Sequence, residues 1–102
     1  MKQAISVADL KKLLTTNKPA LKVIDVRSPD EYVKQHLAFA ENFPSSGLES
    51  FASMLNPADI IVCVCNKGHE RSQDAADKLG EIGYPNVFYL EGGMLGWLEH
   101  AE

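Results

Sequence analysis

One stretch of the chain gathers side chains able to do covalent chemistry: Cys65-Asn66-Lys67-Gly68-His69-Glu70-Arg71-Ser72. Cys65 closes an apolar run, and the polar, Gly-containing segment behind it leads into a helical stripe, so the thiol is expected where a strand ends and a helix begins. Converging backbone N–H groups and the positive end of a helix dipole favour thiolate over thiol at such a place. Lys67, His69 and Arg71 lie in the same loop. Cations gathered beside a nucleophilic sulfur ask for an anionic substrate, and Arg71 is the natural oxyanion ligand. Cys63 lies inside the apolar run instead and reads as a buried structural thiol. Strand geometry makes the two cysteines awkward to bridge, and two thiols are too few for a four-cysteine zinc site, so both are expected free.

Around this loop the roles are less sharply drawn. Glu70 could pair with its neighbour Arg71 and dull its charge. Lys67 and His69 divide between touching substrate and being solvated loop residues. Asp25 and Arg27, at the end of another strand, read as an ion pair that fixes the local loop rather than as catalysts. His36 reads as a packing or hydrogen-bonding residue, and Trp97 as a core anchor. The carboxylates form no separated acid/base pair, and no glycine-rich dinucleotide fingerprint follows a strand.

The elements that must position these residues alternate between strand and helix. Ser6-Val7-Ala8-Asp9 resembles a capping box, and Leu10, Leu13 and Leu14 follow at helical spacing, which predicts a first helix to about Asn17. The β-branched run Leu21 to Val26 predicts a strand. Ser28-Pro29-Asp30-Glu31 supplies an N-cap, a Pro at the first helical position and a capping Glu, starting a short helix that fades near His36. Phe51, Met54 and Leu55 suit one face of a further helix from about Ser46 to before Pro57. Ile60 to Cys65 has no polar alternation, as in a strand covered on both faces by helices. Ser72 to Ile82 then carries Ala75, Ala76, Leu79 and Ile82 on one stripe. Val87 to Leu90 predicts a last strand, and Gly92-Gly93 turns the chain into a short helix with Leu95, Trp97 and Leu98. This order predicts an α/β fold with a mainly parallel sheet, in which ligands gather at the carboxyl ends of the strands.

The composition agrees with one soluble domain over residues 1–102: 45% of the 102 residues are hydrophobic and 24% charged. A formal net charge of -4 gives no overall field for nucleic acid or an anionic membrane, so any anion site must be local. The longest apolar run is far short of the roughly 20 residues of a membrane span, and the first residues lead into no signal-peptide core. A cytoplasmic protein is the expectation.

Three segments, in order, resemble the rhodanese-like sulfurtransferase domains. Asp25-Val26-Arg27-Ser28-Pro29-Asp30-Glu31-Tyr32 followed by His36-Leu37-Ala38-Phe39-Ala40-Glu41-Asn42-Phe43-Pro44 is similar to the family's first signature, with Phe39 in place of the usual Gly. Leu90-Glu91-Gly92-Gly93-Met94-Leu95-Gly96-Trp97 is similar to the closing signature. Between them, the loop from Cys65 to Ser72 resembles the active-site pattern Cys-x-x-Gly-x-Arg-Ser, but Arg71 falls six positions after Cys65, one further than in that pattern. The longer spacing resembles the Cys-x5-Arg loop of cell-cycle cysteine phosphatases and some arsenate reductases of the same fold, whose tetrahedral substrates need more room. Glu70 before Arg71 is similar to those phosphatases too, whereas Val64 before Cys65, Gly68 and the flanking signatures follow the small sulfurtransferases.

The resemblance implies a three-layer domain with a central parallel five-stranded sheet and helices on both faces. It also implies that the Cys65 thiolate takes the outer sulfur of thiosulfate or a related small anionic donor as a persulfide, which a thiol, a protein acceptor or cyanide then removes. Backbone N–H groups of Asn66 to Ser72 would stabilise the persulfide, and Arg71, helped by Lys67, would bind the donor's oxyanion end. No metal or organic cofactor is implied, and neither nucleic acid nor membrane is a partner. Two other functions stay open: a phosphatase or arsenate reductase, and a non-catalytic module that binds a partner or carries sulfur.

Overall fold

The computed structural model describes residues 3–16 and 20–100. In chain order these form β1 (Ala4–Ile5), α1 (Val7–Thr16), β2 (Leu21–Asp25), α2 (Pro29–Lys34), β3 (Ala40–Asn42), α3 (Leu48–Ala52), β4 (Ile60–Val64), α4 (Glu70–Ile82), β5 (Val87–Leu90) and α5 (Gly93–His100). All five strands are parallel, in the order β1-β5-β4-β2-β3. β4 therefore lies in the middle of the sheet, and its carboxyl end carries Cys65.

Local chemistry explains why several elements start where they do. At α1 the Ser6 Oγ accepts the Asp9 N–H at 3.0 Å, an N-cap that satisfies one otherwise unpaired donor. The expected end near Asn17 lies outside the described residues. At α2 the full capping box forms: the Ser28 side chain accepts the Glu31 N–H, Glu31 accepts the Ser28 N–H, and Pro29 begins the helix.

The apolar strand β4 divides its side chains by the two-residue period of a strand. Ile61 and Cys63, followed by Cys65, join a cluster with Ile24, Val26, Ala75, Ala76 and Leu79, under α3 and α4. Val62 and Val64 join a second cluster with Ile5, Leu10, Leu90 and Met94, under α1 and α5. Both faces of the sheet are thus covered, giving the three layers. Trp97 packs on the second cluster, and its ring meets Phe39 edge-on at 5.0 Å. Among the described residues no helix is long and apolar enough to cross a membrane.

Several expectations need correction. The five strands are those the resemblance implies, but the residue pattern alone did not place β1 and β3, because segments of 2 and 3 residues show no periodicity. The helix expected from Ser46 to before Pro57 is a 3-10 turn at Ser45–Gly47 followed by α3, which ends at Ala52. Met54 lies beyond it with 69% of its surface exposed, while Leu55 is buried. α4 starts two residues earlier than Ser72, so Glu70, Arg71 and Ser72 are its first turn. Ile82, expected on the buried stripe, is 46% exposed at the last position of the helix. On α5 the buried residues are Gly93 and Met94, whereas Leu95 and Leu98 are each 42% exposed.

Candidate active site

β2 and β4 are adjacent, with Asp25 opposite Val64, and the Val26 N–H continues the ladder to the Val64 carbonyl at 3.0 Å. Cys65 therefore leaves the sheet beside the segment that carries Asp25 and Arg27. These two form the expected ion pair, with Arg27 Nη2 2.8 Å from Asp25 Oδ2 and side chains only 3% and 1% exposed. Burying two charges is tolerable only when their remaining donors and acceptors are also matched. Arg27 meets that demand by giving Nε to the same carboxylate, Nη2 to the Gln35 carbonyl and Nη1 to Asn66 Oδ1 at 3.1 Å. Asn42 Nδ2 donates to the carbonyls of Asp25 and Arg27, closing the network. Through Asn66 the pair also reaches the loop that follows Cys65, a contact the sequence reading did not include.

Cys65 is 3% exposed and forms the floor of a depression of about 560 Å³ lined by Asn66, Lys67, His69, Glu70 and Arg71. Its Sγ lies 3.2 Å from Oγ of fully buried Ser72, which in turn bonds the His69 carbonyl. A hydroxyl has one rotatable proton and two lone pairs, so Ser72 can accept from a thiol or donate to a thiolate without moving its oxygen. Above the sulfur, α4 begins with no side chain capping it at His69. Among the described residues, the N–H groups from Lys67 to Ser72 make no bond to a protein acceptor, which leaves them for an anion.

Two glycines set the loop's shape. Gly68 is buried at φ +73°, and a Cβ there would stand 2.5 Å from the Leu90 carbonyl oxygen. Gly93 has φ +61°, and a Cβ there would stand 2.4 Å from the Cys65 carbonyl oxygen. This close approach lets the N–H groups of Met94 and Leu95 donate to the carbonyls of Cys65 and Asn66 at 2.8 and 2.9 Å. In a trans peptide the N–H points opposite to its C=O, so carbonyls drawn towards α5 turn the N–H groups of Asn66 and Lys67 the other way.

Arg71 does not pair with Glu70. Its Nη1 lies 2.7 Å from Oε1 of Glu31 and its Nη2 3.4 Å from Oε2, joining the first turn of α4 to α2. Glu31 also accepts from Asn66 Nδ2 at 3.4 Å. The Arg71 hydrogen bond, helped by the Ser28 bonds and only partly opposed by burial, holds the Glu31 carboxyl down at about 2. The same hydrogen bond pushes the Arg71 guanidinium up. Burial pushes the thiol of Cys63 far up, and Cys63 stays outside the depression. His36 is exposed, stacks on Tyr32 at 3.8 Å and bonds the Tyr32 carbonyl through Nδ1, so it props the end of α2 rather than lining the site.

Sequence reasoning therefore placed the loop but missed Glu31, which it had used only as a cap. It also gave no role to Asn42 or to the backbone of Met94 and Leu95. A larger hollow of about 630 Å³ between α1 and α5 includes Lys11 and Glu99 but no cysteine. Among the described residues no group of three or more His, Cys, Asp or Glu side chains is placed to hold a metal ion.

Fold and site together define an α/β domain with a cysteine at the head of a loop whose backbone N–H groups and charged side chains surround a depression at the carboxyl end of the sheet. The family model of the rhodanese-like domain matches residues 6–100, and the chain belongs to that family. Thiosulfate sulfurtransferase 18 of Arabidopsis thaliana is 33% identical over 96% of this chain and 79% of its own length. The putative sulfur carrier protein YrkF of Bacillus subtilis is 32% identical over 81% of this chain and 44% of its own. Among solved structures, a rhodanese-related protein from Thermoplasma volcanium superposes with a TM-score of 0.82 at 30% identity, covering 97% of this chain and 93% of that one. The Alr3790 protein from Anabaena gives a TM-score of 0.86 at 28% identity, covering 95% and 78%.

Proposed function

We propose that residues 1–102 act as one rhodanese-like domain that transfers sulfane sulfur through a persulfide on Cys65. The observation that carries this reading is the placement of the Cys65 Sγ beneath the uncapped first turn of α4, 3.2 Å from the Ser72 hydroxyl and beside Lys67 and Arg71. The Cys65 thiolate attacks the outer sulfur of thiosulfate; the S–S bond of the donor breaks, sulfite leaves with the bonding pair, and a cysteine persulfide anion remains. The N–H groups of Asn66 to Ser72 hold that anion, while the cations face the departing sulfite. An acceptor thiolate then attacks the outer sulfur of the persulfide, forms its own persulfide and returns Cys65 as thiolate. No step calls for a metal or organic cofactor.

The names of the relatives support both halves: one is called a thiosulfate sulfurtransferase, the other a putative sulfur carrier, which fits a small anionic donor and a thiol or protein acceptor. A cytoplasmic setting, where thiols stay reduced, suits a free nucleophilic cysteine. The test is the intact mass of the protein after incubation with thiosulfate. A gain of one sulfur atom that a reducing thiol removes and Cys65→Ser abolishes is the expected result; no gain overturns the reading. The spacing of six between Cys65 and Arg71 supports a second reading, hydrolysis of an aryl phosphate or reduction of arsenate. Phosphate release that depends on Cys65, without persulfide formation, would establish that reading instead.

A further inference from the structure

The cation best placed by sequence to meet an incoming anion already has an anion of its own. Arg71 gives both terminal nitrogens to Glu31, and neither side chain is deeply buried, with 43% of Arg71 and 35% of Glu31 exposed. The pair stands at the edge of the depression, not behind it, because Arg71 lines the depression and Asn66, the next residue after the nucleophile, also bonds Glu31. Charge around the opening is then close to balanced: Lys67 and Arg71 on one side, Glu70 and Glu31 on the other. Arg71 lies in the first turn of α4, where α2 brings Glu31 within reach.

We propose that Glu31 is a specificity-determining positioning residue, which competes with anionic donors for Arg71 and so biases the site away from dianions and towards donors of lower charge, such as small-thiol persulfides. The inference rests on the sulfur-transfer reading and names its donor class. A dianion such as thiosulfate must share or displace the Glu31 carboxylate to use Arg71, whereas a persulfide monoanion needs the loop N–H groups alone: the Cys65 thiolate attacks its outer sulfur, the donor's S–S bond breaks, and the small thiolate leaves with the bonding pair. Lys67 is exposed and has no ion pair among the described residues, so it becomes the free cation for any oxyanion end.

Glu31→Gln tests this without removing the cap, since Gln serves at the same capping-box position. Single-turnover persulfidation of Cys65 is followed by mass with two donors, thiosulfate and the persulfide of 2-mercaptoethanol. The variant is expected to lower the half-saturating thiosulfate concentration by about two- to fivefold, the range for an exposed ion pair, with little change in the maximal rate. The preference for thiosulfate over the persulfide should rise by the same factor. In an Arg71→Ala background the Glu31→Gln effect should vanish, because the carboxylate acts through the guanidinium. An unchanged or raised half-saturation, equal shifts for both donors, or an effect that survives without Arg71 overturns the proposal. Thiosulfate binding to Cys65→Ser, with and without Glu31→Gln, gives a readout that needs no transfer. Tighter binding in the double variant supports the role of Glu31 even if no persulfide forms, and unchanged binding refutes it whatever the fate of the transfer reading.

Discussion

The N–H of Met94 donates to the carbonyl of Cys65 at 2.8 Å, a bond that ties the first turn of α5 to the head of the loop. It exists because Gly93 brings the two segments closer than any side chain permits. Gly93→Ala should therefore cost about 1–3 kcal/mol for the left-handed backbone alone, with the collision against Cys65 added. The expected outcome is a lowered urea midpoint together with slower persulfidation. A midpoint within error of the wild type would show that the turn moves freely away from the loop.

The two cysteines should separate cleanly. Cys63 is fully buried and its thiol is pushed up by burial, so iodoacetamide should label Cys65 and spare Cys63 in the native protein. Cys63→Ser places a hydroxyl among apolar side chains and should cost about 1–3 kcal/mol, yet leave persulfidation in place. Equal loss of persulfidation in Cys63→Ser and Cys65→Ser, measured at a temperature where both are folded, would reverse the assignment.

Removing one partner of the Asp25 and Arg27 pair strands the other charge at 1–3% exposure. Asp25→Ala should destabilise by about 3–5 kcal/mol in a denaturant titration. A loss below about 1 kcal/mol would mean that water reaches Arg27 and that the pair is no anchor for Asn66.

Acid should loosen the α2 and α4 junction in a defined direction. The Glu31 carboxyl is lowered from 4.5 to about 2 in the folded chain, so its contribution is present above 4.5 and is lost as pH falls towards 2. Denaturation midpoints of the wild type should fall more steeply across that window than those of Glu31→Gln. Parallel curves would place the acid sensitivity elsewhere.

Among the cations, Lys67→Ala should raise the half-saturating thiosulfate concentration more than Arg71→Ala does, because only Arg71 is already neutralised by a partner. The order should reverse in the Glu31→Gln background. The same order in both backgrounds would leave the ion pair without influence on the donor.

The sequence made the sheet's centre, the loop and the α2 cap legible for reasons of local chemistry: Ile60 to Cys65 is too apolar for a half-exposed strand, and Ser28 with Pro29 and Glu31 carries the capping-box pattern. Glu31 escaped notice as a partner of Arg71 because that bond spans 40 positions and arises only when β2 and β4 pair. Glu70, adjacent in sequence, looked the better partner, but neighbouring positions on a helix do not face each other. β1 was hidden for a related reason. Ala4 and Ile5 become a strand only because Tyr89 and Leu90 are there to receive them.

The dependence of the loop on α5 also orders events during synthesis. A chain emerging from a ribosome exposes Cys65 and the whole loop while Gly93, Met94 and Leu95 are still in the exit tunnel, some 30 residues behind. Until they arrive, the carbonyls of Cys65 and Asn66 have nothing to turn them, and β5, which gives Gly68 its tight seat against Leu90, is missing from the sheet. The anion cradle is thus among the last parts to form. A nascent or prematurely terminated chain carries the cysteine without the turned carbonyls and N–H groups on which the proposed persulfide would depend.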